Sequence, residues 1–230
     1  MNILNDESTI NQYKKQIKEK YPIDTENLGW RTYSPGEFIY EQGFPIPFLS
    51  LLVKGKVKIF STSEDGRRLI VTFNKPLEIF GELELVQQVN TIHSIEAVTP
   101  VHIATLSSET AKKLREDSVF NEILLQSISR KFHTKSMNLS FHLLHEADVR
   151  FASYLASVSH DEQGVFINAL IPKNELKTIA EFIGITVRHQ NRCIQSFERD
   201  ELIKRIPGYI EIIDPKRLLS YAQQNIYEMQ

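Results

Sequence analysis

The chain has 230 residues, 41 % of them hydrophobic, a formal net charge of -2 and a single cysteine, Cys193. This is enough apolar material for one large or two modest cored domains, and one cysteine excludes a disulfide framework or a cysteine-ligated cluster. No run approaches the roughly 18 apolar residues of a membrane-spanning helix, and the N-terminus is polar where a secretory signal is apolar, so a soluble, cytoplasmic protein with no membrane partner is expected.

Residues 1–30 read as a lead-in, irregular or helical, with Ile10, Tyr13 and Ile17 on one helical stripe. From Thr32 to Leu106 short segments rich in Phe, Ile, Val and Leu are cut by turn residues such as Ser34-Pro35-Gly36, Lys54-Gly55 and Asn74-Lys75-Pro76. Val57 and Ile59 alternate with Lys56 and Lys58, Asp65-Gly66 supplies a hairpin turn, and Leu69, Val71 and Phe73 form the return strand. Turn signals at this density point to an all-β sandwich or barrel.

After Ser107-Ser108 the period becomes helical, first over 110–115 and then over 119–145, which lacks Gly and Pro. The longer segment is about 27 residues, roughly 40 Å of helix. Leu125, Ile128, Phe132, Lys135, Leu139 and His142 fall at the 3,4-spacing of a two-helix seam, while another stripe of the same helix packs on the β-domain. An amphipathic segment, 146–158, follows, then a loop over 160–164 and a strand over 165–170. Next come a helix over 174–183 ended by Gly184, a helix from Thr186 to about Asp200, and a hairpin turning at Pro207-Gly208. The fold class expected is α+β. Its parts are a β-roll of jelly-roll or cupin type with its lead-in (1–118), a long dimerisation helix (119–145) and a C-terminal winged helix-turn-helix (146–230).

Two short helices joined by a tight turn with Gly, then a hairpin, describe a winged helix-turn-helix. Leu176, Ile179, Ala180, Ile185, Ile194 and Phe197 supply its packing. Subtracting them leaves Arg188, His189, Asn191, Arg192, Gln195 and Arg199 facing away from the core. Arg, Asn and Gln carry the donor and acceptor pairs that match base edges in the major groove of double-stranded DNA. Residues 146–230 hold 10 Lys+Arg against 12 Asp+Glu, so DNA contact must come from this local patch. The first five of those exposed residues are the candidate DNA-binding set.

The whole chain resembles the Crp/Fnr superfamily of bacterial transcription regulators. The resemblance rests on the roll with IFGELELV at 79–86, the single long helix, the winged helix-turn-helix, and GYIEIIDPKRLLSYA at 208–222. It implies a homodimer joined through 119–145, at Leu125, Ile128, Phe132, Leu139 and His142, a palindromic operator, and RNA polymerase as a partner. Two recognition helices would then enter successive major grooves about 34 Å apart. Where family members often show Arg-Glu-Thr-Val-x-Arg, this chain has Val187-Arg188-His189-Gln190-Asn191-Arg192. Arg192 inherits the guanine-contacting role, whereas the change of Glu to Arg188 implies a different preferred base.

In the family's cyclic-nucleotide binders a Gly-Glu-Leu on one strand contacts ribose and phosphate, and an Arg-Ser about ten residues later neutralises the phosphate. This chain keeps Gly81, Glu82 and Leu83, but His93 and Ser94 stand near the Arg-Ser position and no Arg occurs between Arg68 and Arg115. These five residues are the candidate effector pocket. Without the guanidinium, cAMP or cGMP is not expected to bind; a nucleotide-responsive regulator with a modified pocket is the alternative. Two further alternatives are a protein-interaction module built on the winged helix and a cupin-like metalloenzyme, for which His93 and His102 are too few ligands. His133, His142 and His145 lie on the long helix without a supporting ligand pattern, and Cys193 reads as a packing residue. No nucleophile–base pair or phosphate-binding loop is visible. Neither catalysis, a metal nor a cofactor is expected.

Overall fold

The computed structural model describes every residue except Met1, Pro22, Pro47, Gln224, Ile226, Met229 and Gln230; of residues 137–144 it describes the helix but not the side chains. In chain order the elements begin with β1 (Asn2–Ile3), α1 (Glu7–Lys20), β2 (Gly29–Tyr33), β3 (Phe38–Tyr40) and β4 (Phe48–Lys54). They continue with β5 (Val57–Thr62), β6 (Arg68–Asn74), β7 (Glu78–Phe80), α2 (Glu82–Gln87), β8 (Ser94–Ala97), β9 (Val101–Ser107) and α3 (Ser108–Leu114). The long helix is α4 (Ser118–Leu144), followed by α5 (Ala147–Ser159), β10 (Leu170–Pro172), α6 (Leu176–Phe182) and α7 (Val187–Arg199). A hairpin of β11 (Ile203–Ile206) and β12 (Tyr209–Ile212) precedes α8 (Pro215–Tyr221). Contacts group these into two units, 1–59 with 74–133 and 60–73 with 134–230.

The first unit is the body of a β-roll. One sheet runs β1-β2-β9-β4-β7, and the other runs β3-β8-β5-β6, its last hairpin counted with the second unit. β4 is buried from Leu49 through Val53, which explains why its sequence, LSLLV, is continuous rather than alternating. Asp6 accepts the Thr9 N–H at 3.0 Å and starts α1, whose Tyr13 and Ile17 drop into the core beside Trp30, Leu51 and Leu106. Phe120 and Leu124 of α4 enter the same core, so the expected inward stripe of the long helix is present.

Alternation located the strand β5 and its return strand β6 but not the burial of the lysines at its start. Lys56 is fully buried, and Lys58 is nearly so, paired with Glu96 at 3.0 Å. Both lysines are therefore buried along with the Val57 and Ile59 they alternate with.

In the second unit α5 buries Phe151 against Phe197 of α7 in a stacked pair 5.8 Å apart, and Tyr221 of α8 meets Phe197 edge-on at 5.1 Å. The hairpin 60–73 adds Phe60, edge-on to Phe182 at 5.1 Å, and Phe73, whose N–H donates to the carbonyl of Tyr227. The strand expected over 165–170 starts only at Leu170, which pairs with Glu211 of β12. Before it, Val165, Phe166 and Ile167 are exposed in a loop held by Asp161 and Ser159. There the period-2 apolar character yields only an isolated antiparallel bridge between His160 and Phe166, because the neighbouring backbone bonds are made locally.

Candidate nucleic-acid interface

The second helix of the helix-turn-helix begins at a well-made N-terminus. Thr186 adopts extended backbone, and its Oγ1 accepts the His189 N–H at 3.1 Å. Gly184 turns the chain between α6 and α7 at φ +65°, a conformation that favours glycine. Arg150 of α5 steadies this turn by donating from Nη1 to the Ile183 carbonyl at 2.9 Å and more weakly to that of Gly184. A cation on the last carbonyls of α6 also suits the negative end of a helix.

From that start α7 divides cleanly. Cys193, Ile194 and Phe197 are buried, and Arg188, His189, Asn191, Arg192 and Gln195 are all exposed, as is Arg199. The five residues expected to read DNA thus share one outward surface with no buried member. At the far end, Glu198 accepts the Arg205 N–H at 3.0 Å and pairs with its Nε at 3.2 Å, tying α7 to the wing strand β11. Arg217 of α8 donates to the Asp200 carbonyl at 3.1 Å, covering the helix C-terminus. Sequence reasoning missed Glu198, Arg150 and Arg217, since each works on a partner in another element.

It also missed Gln190. This residue is fully buried, and neither Oε1 nor Nε2 has a hydrogen-bond partner among the described residues. It stands where the family pattern quoted above carries Val, an apolar position. Cys193 is equally inward; burial first, and then the charge of Asp148, push its thiol up to about 11. A thiol so protonated at neutral pH is a packing group, in line with the sequence reading.

The pocket candidates of the roll have a different geometry from the one the resemblance implies. Gly81, Glu82 and Leu83 do not lie along a strand: β7 ends at Phe80, and Gly81, at φ +91°, caps the start of α2. The left-handed φ of Gly81 favours glycine, and a Cβ there would also lie 3.0 Å from the Tyr40 hydroxyl. Glu82 is buried, and its Oε1 meets Nζ of Lys131 from α4 at 2.5 Å. Leu83 and His93 are half-buried, and Ser94 is buried with its Oγ accepting the Gln42 N–H at 3.1 Å. Four residues earlier, on β7, Glu78 takes a bidentate pair from Arg130 at 2.8 and 2.9 Å. Burial pushes the Glu78 carboxyl up, but Lys131 and Arg130 together outweigh it and hold the group below the usual carboxylate range.

Of the expected dimer residues, Leu125 and Phe132 are exposed, at 60 % and 72 %, and Ile128 is half-buried. The side chains of Leu139 and His142 lie outside the described residues. Among the described residues no group of His, Cys, Asp and Glu could hold a metal ion, and no helix is long and apolar enough to cross a membrane.

Comparison with known proteins agrees with this architecture. Residues 30–118 match the cyclic nucleotide-binding domain family, and residues 149–221 match the Crp-like helix-turn-helix domain. The chain is 22 % identical over 209 residues to the CRP-like cAMP-activated global transcriptional regulator of Mycobacterium tuberculosis, covering 90 % of each protein. It is 25 % identical over 224 residues to the global nitrogen regulator of Synechococcus elongatus, covering 94 % of this chain and 97 % of that one. A crystal structure from Eubacterium rectale, described as a regulator of the Crp/Fnr family, shares the fold with a TM-score of 0.70 at 18 % identity, covering 96 % of both chains. With a cyclic-nucleotide-binding-type roll at one end and a Crp-like helix-turn-helix at the other, the chain belongs to the Crp/Fnr superfamily of transcription regulators.

Proposed function

We propose that the protein is a homodimeric, site-specific regulator of transcription in the cytoplasm, which reads a palindromic operator with α7 and contacts RNA polymerase. The observation that carries this reading is the exposed set Arg188, His189, Asn191, Arg192 and Gln195 on the capped N-terminal half of α7. A solvated helix would mix in carboxylates, and here the first is Glu198, already committed to the wing. Bidentate donors at this position match guanine and adenine edges, and Arg192 is the residue assigned to guanine. The exposed apolar pair Leu125 and Phe132, one heptad apart on α4, supports a second copy of the chain as the partner of that helix.

For the effector, the reading is that cAMP and cGMP have no useful affinity. Glu82 is already paired, and Lys131, its partner, is committed to Glu78 and the Ile79 carbonyl as well. A phosphodiester entering here would have to displace an existing pair, at a cost of several kcal/mol. One relative is named for activation by cAMP and another for nitrogen regulation, so similarity across the family does not select an effector.

The test is fluorescence anisotropy on operators selected from random double-stranded DNA, over a salt series, with and without nucleotide. Selection of a palindrome, with affinity falling steeply as salt rises, is expected. Failure to prefer any sequence would leave a protein-interaction module as the better reading. Calorimetric titration with cAMP and cGMP at pH 7 tests the second part: a low micromolar Kd for either restores the nucleotide effector.

A further inference from the structure

The roll presents two buried carboxylates, Glu78 and Glu82, with side-chain exposures of 3 % and 5 %. Both are met by cations from consecutive residues of one helix. Arg130 forks onto both oxygens of Glu78, and Lys131 reaches Glu82 at 2.5 Å and Glu78 at 3.6 Å. The Lys131 ammonium also donates to the Ile79 carbonyl and lies 5.2 Å from the centre of the Phe80 ring. It is therefore surrounded by the strand end that leads into Gly81. Glu82 is thus occupied from within the chain.

The arrangement has a rotational consequence for α4. Successive residues of a helix differ by about 100° around its axis. A single ion pair lets a helix rock about the contact, but two pairs at different azimuths resist rotation in both directions. The inward positions Phe120, Leu124, Ser127 and Lys131 follow a 4,3,4 spacing and are buried or half-buried. With that stripe held inward, Leu125 and Phe132 are among the apolar side chains of α4 left outside.

We propose that Arg130 and Lys131 are positioning residues: with Glu78 and Glu82 they form an internal counter-ion clamp that sets the azimuth of α4 without an effector. Resting on the homodimer reading, the clamp thereby selects the stripe of α4 that meets a second copy of the chain. Glu82, in this view, is an anchor for the helix rather than a ligand group.

The experiment uses the full-length protein with Cys193→Ser, carrying a reporter as Phe132→Cys or, separately, His133→Cys. Disulfide cross-linking between chains reads the azimuth, and sedimentation equilibrium on the same proteins without the reporter, which keep Phe132, reads dimerisation. The unclamped parent comparison is Lys131→Met, with Lys131→Arg as the conservative rescue. Cross-linking is expected at 132 and not at 133 in the parent. Lys131→Met should weaken dimerisation at least tenfold and abolish the preference for 132, and Lys131→Arg should keep both. The double variant Glu82→Gln, Lys131→Met removes both charges at once, so it tests the idea even where the single variant does not fold; it too should lose the preference. Parent-like dimerisation and preference in a folded variant without the Lys131 charge overturn the clamp and leave the homodimer standing. A parent that sediments as a monomer overturns the homodimer reading instead. The clamp is then read from hydrogen exchange over 120–133, where an unchanged rate in Lys131→Met refutes it.

Discussion

Gln190→Leu is a perturbation whose sign runs against the usual expectation for a core mutation. The Gln190 side chain is completely buried on the inner face of α7, beside Cys193, Ile194 and Phe197 in the sequence, with its carbonyl oxygen and amide nitrogen both unpartnered. Each unpartnered buried polar group costs about 1–3 kcal/mol, so the pair costs about 2–6. Leucine is close in volume, removes both groups and has slightly better helix propensity. Shape mismatch in a packed core takes back up to about 1.5 kcal/mol. The net expectation is stabilisation by about 0.5–6 kcal/mol, and Tm rises by roughly 2–4 °C per kcal/mol for a chain of this size. Urea unfolding followed by far-UV circular dichroism measures the change. Anisotropy on the selected operator should stay within about threefold of the parent, because the outward side chains are untouched. A Leu variant less stable than the parent would refute the reasoning. One that is stable but blind to its operator would show that Gln190 is used in the DNA complex.

Arg192→Ala should lower affinity for the selected operator by about 1–3 kcal/mol while leaving random-sequence binding nearly intact; equal losses on both would assign Arg192 to phosphate alone. Phe132→Glu puts a carboxylate on the exposed stripe of α4, facing its own copy across a two-fold axis, and should yield a monomer that loses operator preference; a dimer by sedimentation would move the interface elsewhere. The lowered Glu78 carboxyl binds fewer protons in the folded than in the unfolded chain, so its contribution is present above about pH 4.5 and lost as pH falls through the depressed value. Glu78→Gln should therefore flatten the acid limb of stability against pH, and an unchanged slope below about pH 4.5 would contradict the assignment. Cys193, with its thiol raised to about 11, should react with Ellman's reagent at pH 8 far more slowly in the native protein than in denaturant; equal rates would mean the helix opens readily.

Local pattern determined most of the architecture. The run over 119–145 without Gly or Pro, the Gly184 turn, the Thr186 cap and the Pro207-Gly208 hairpin are all set locally, and each is realised in the structure within a residue or two of its expected place. The outward set on α7 was legible for the same reason: subtracting apolar residues at helical spacing leaves the reading face. Pattern failed where polar groups go inside, as with Lys56 and Gln190, and over 165–169, where exposed apolar residues imitate a strand.

Only the tertiary structure shows what the retained Glu82 meets. Its partner, Lys131, is 49 residues away, and the Glu78–Arg130 pair spans 52. Nothing in local spacing joins these residues. A carboxylate in a family motif reads the same in sequence whether it faces a ligand or an ammonium from its own chain. The choice is made when packing brings α4 against the end of β7, because a buried charge must find its counter-ion wherever the fold supplies one.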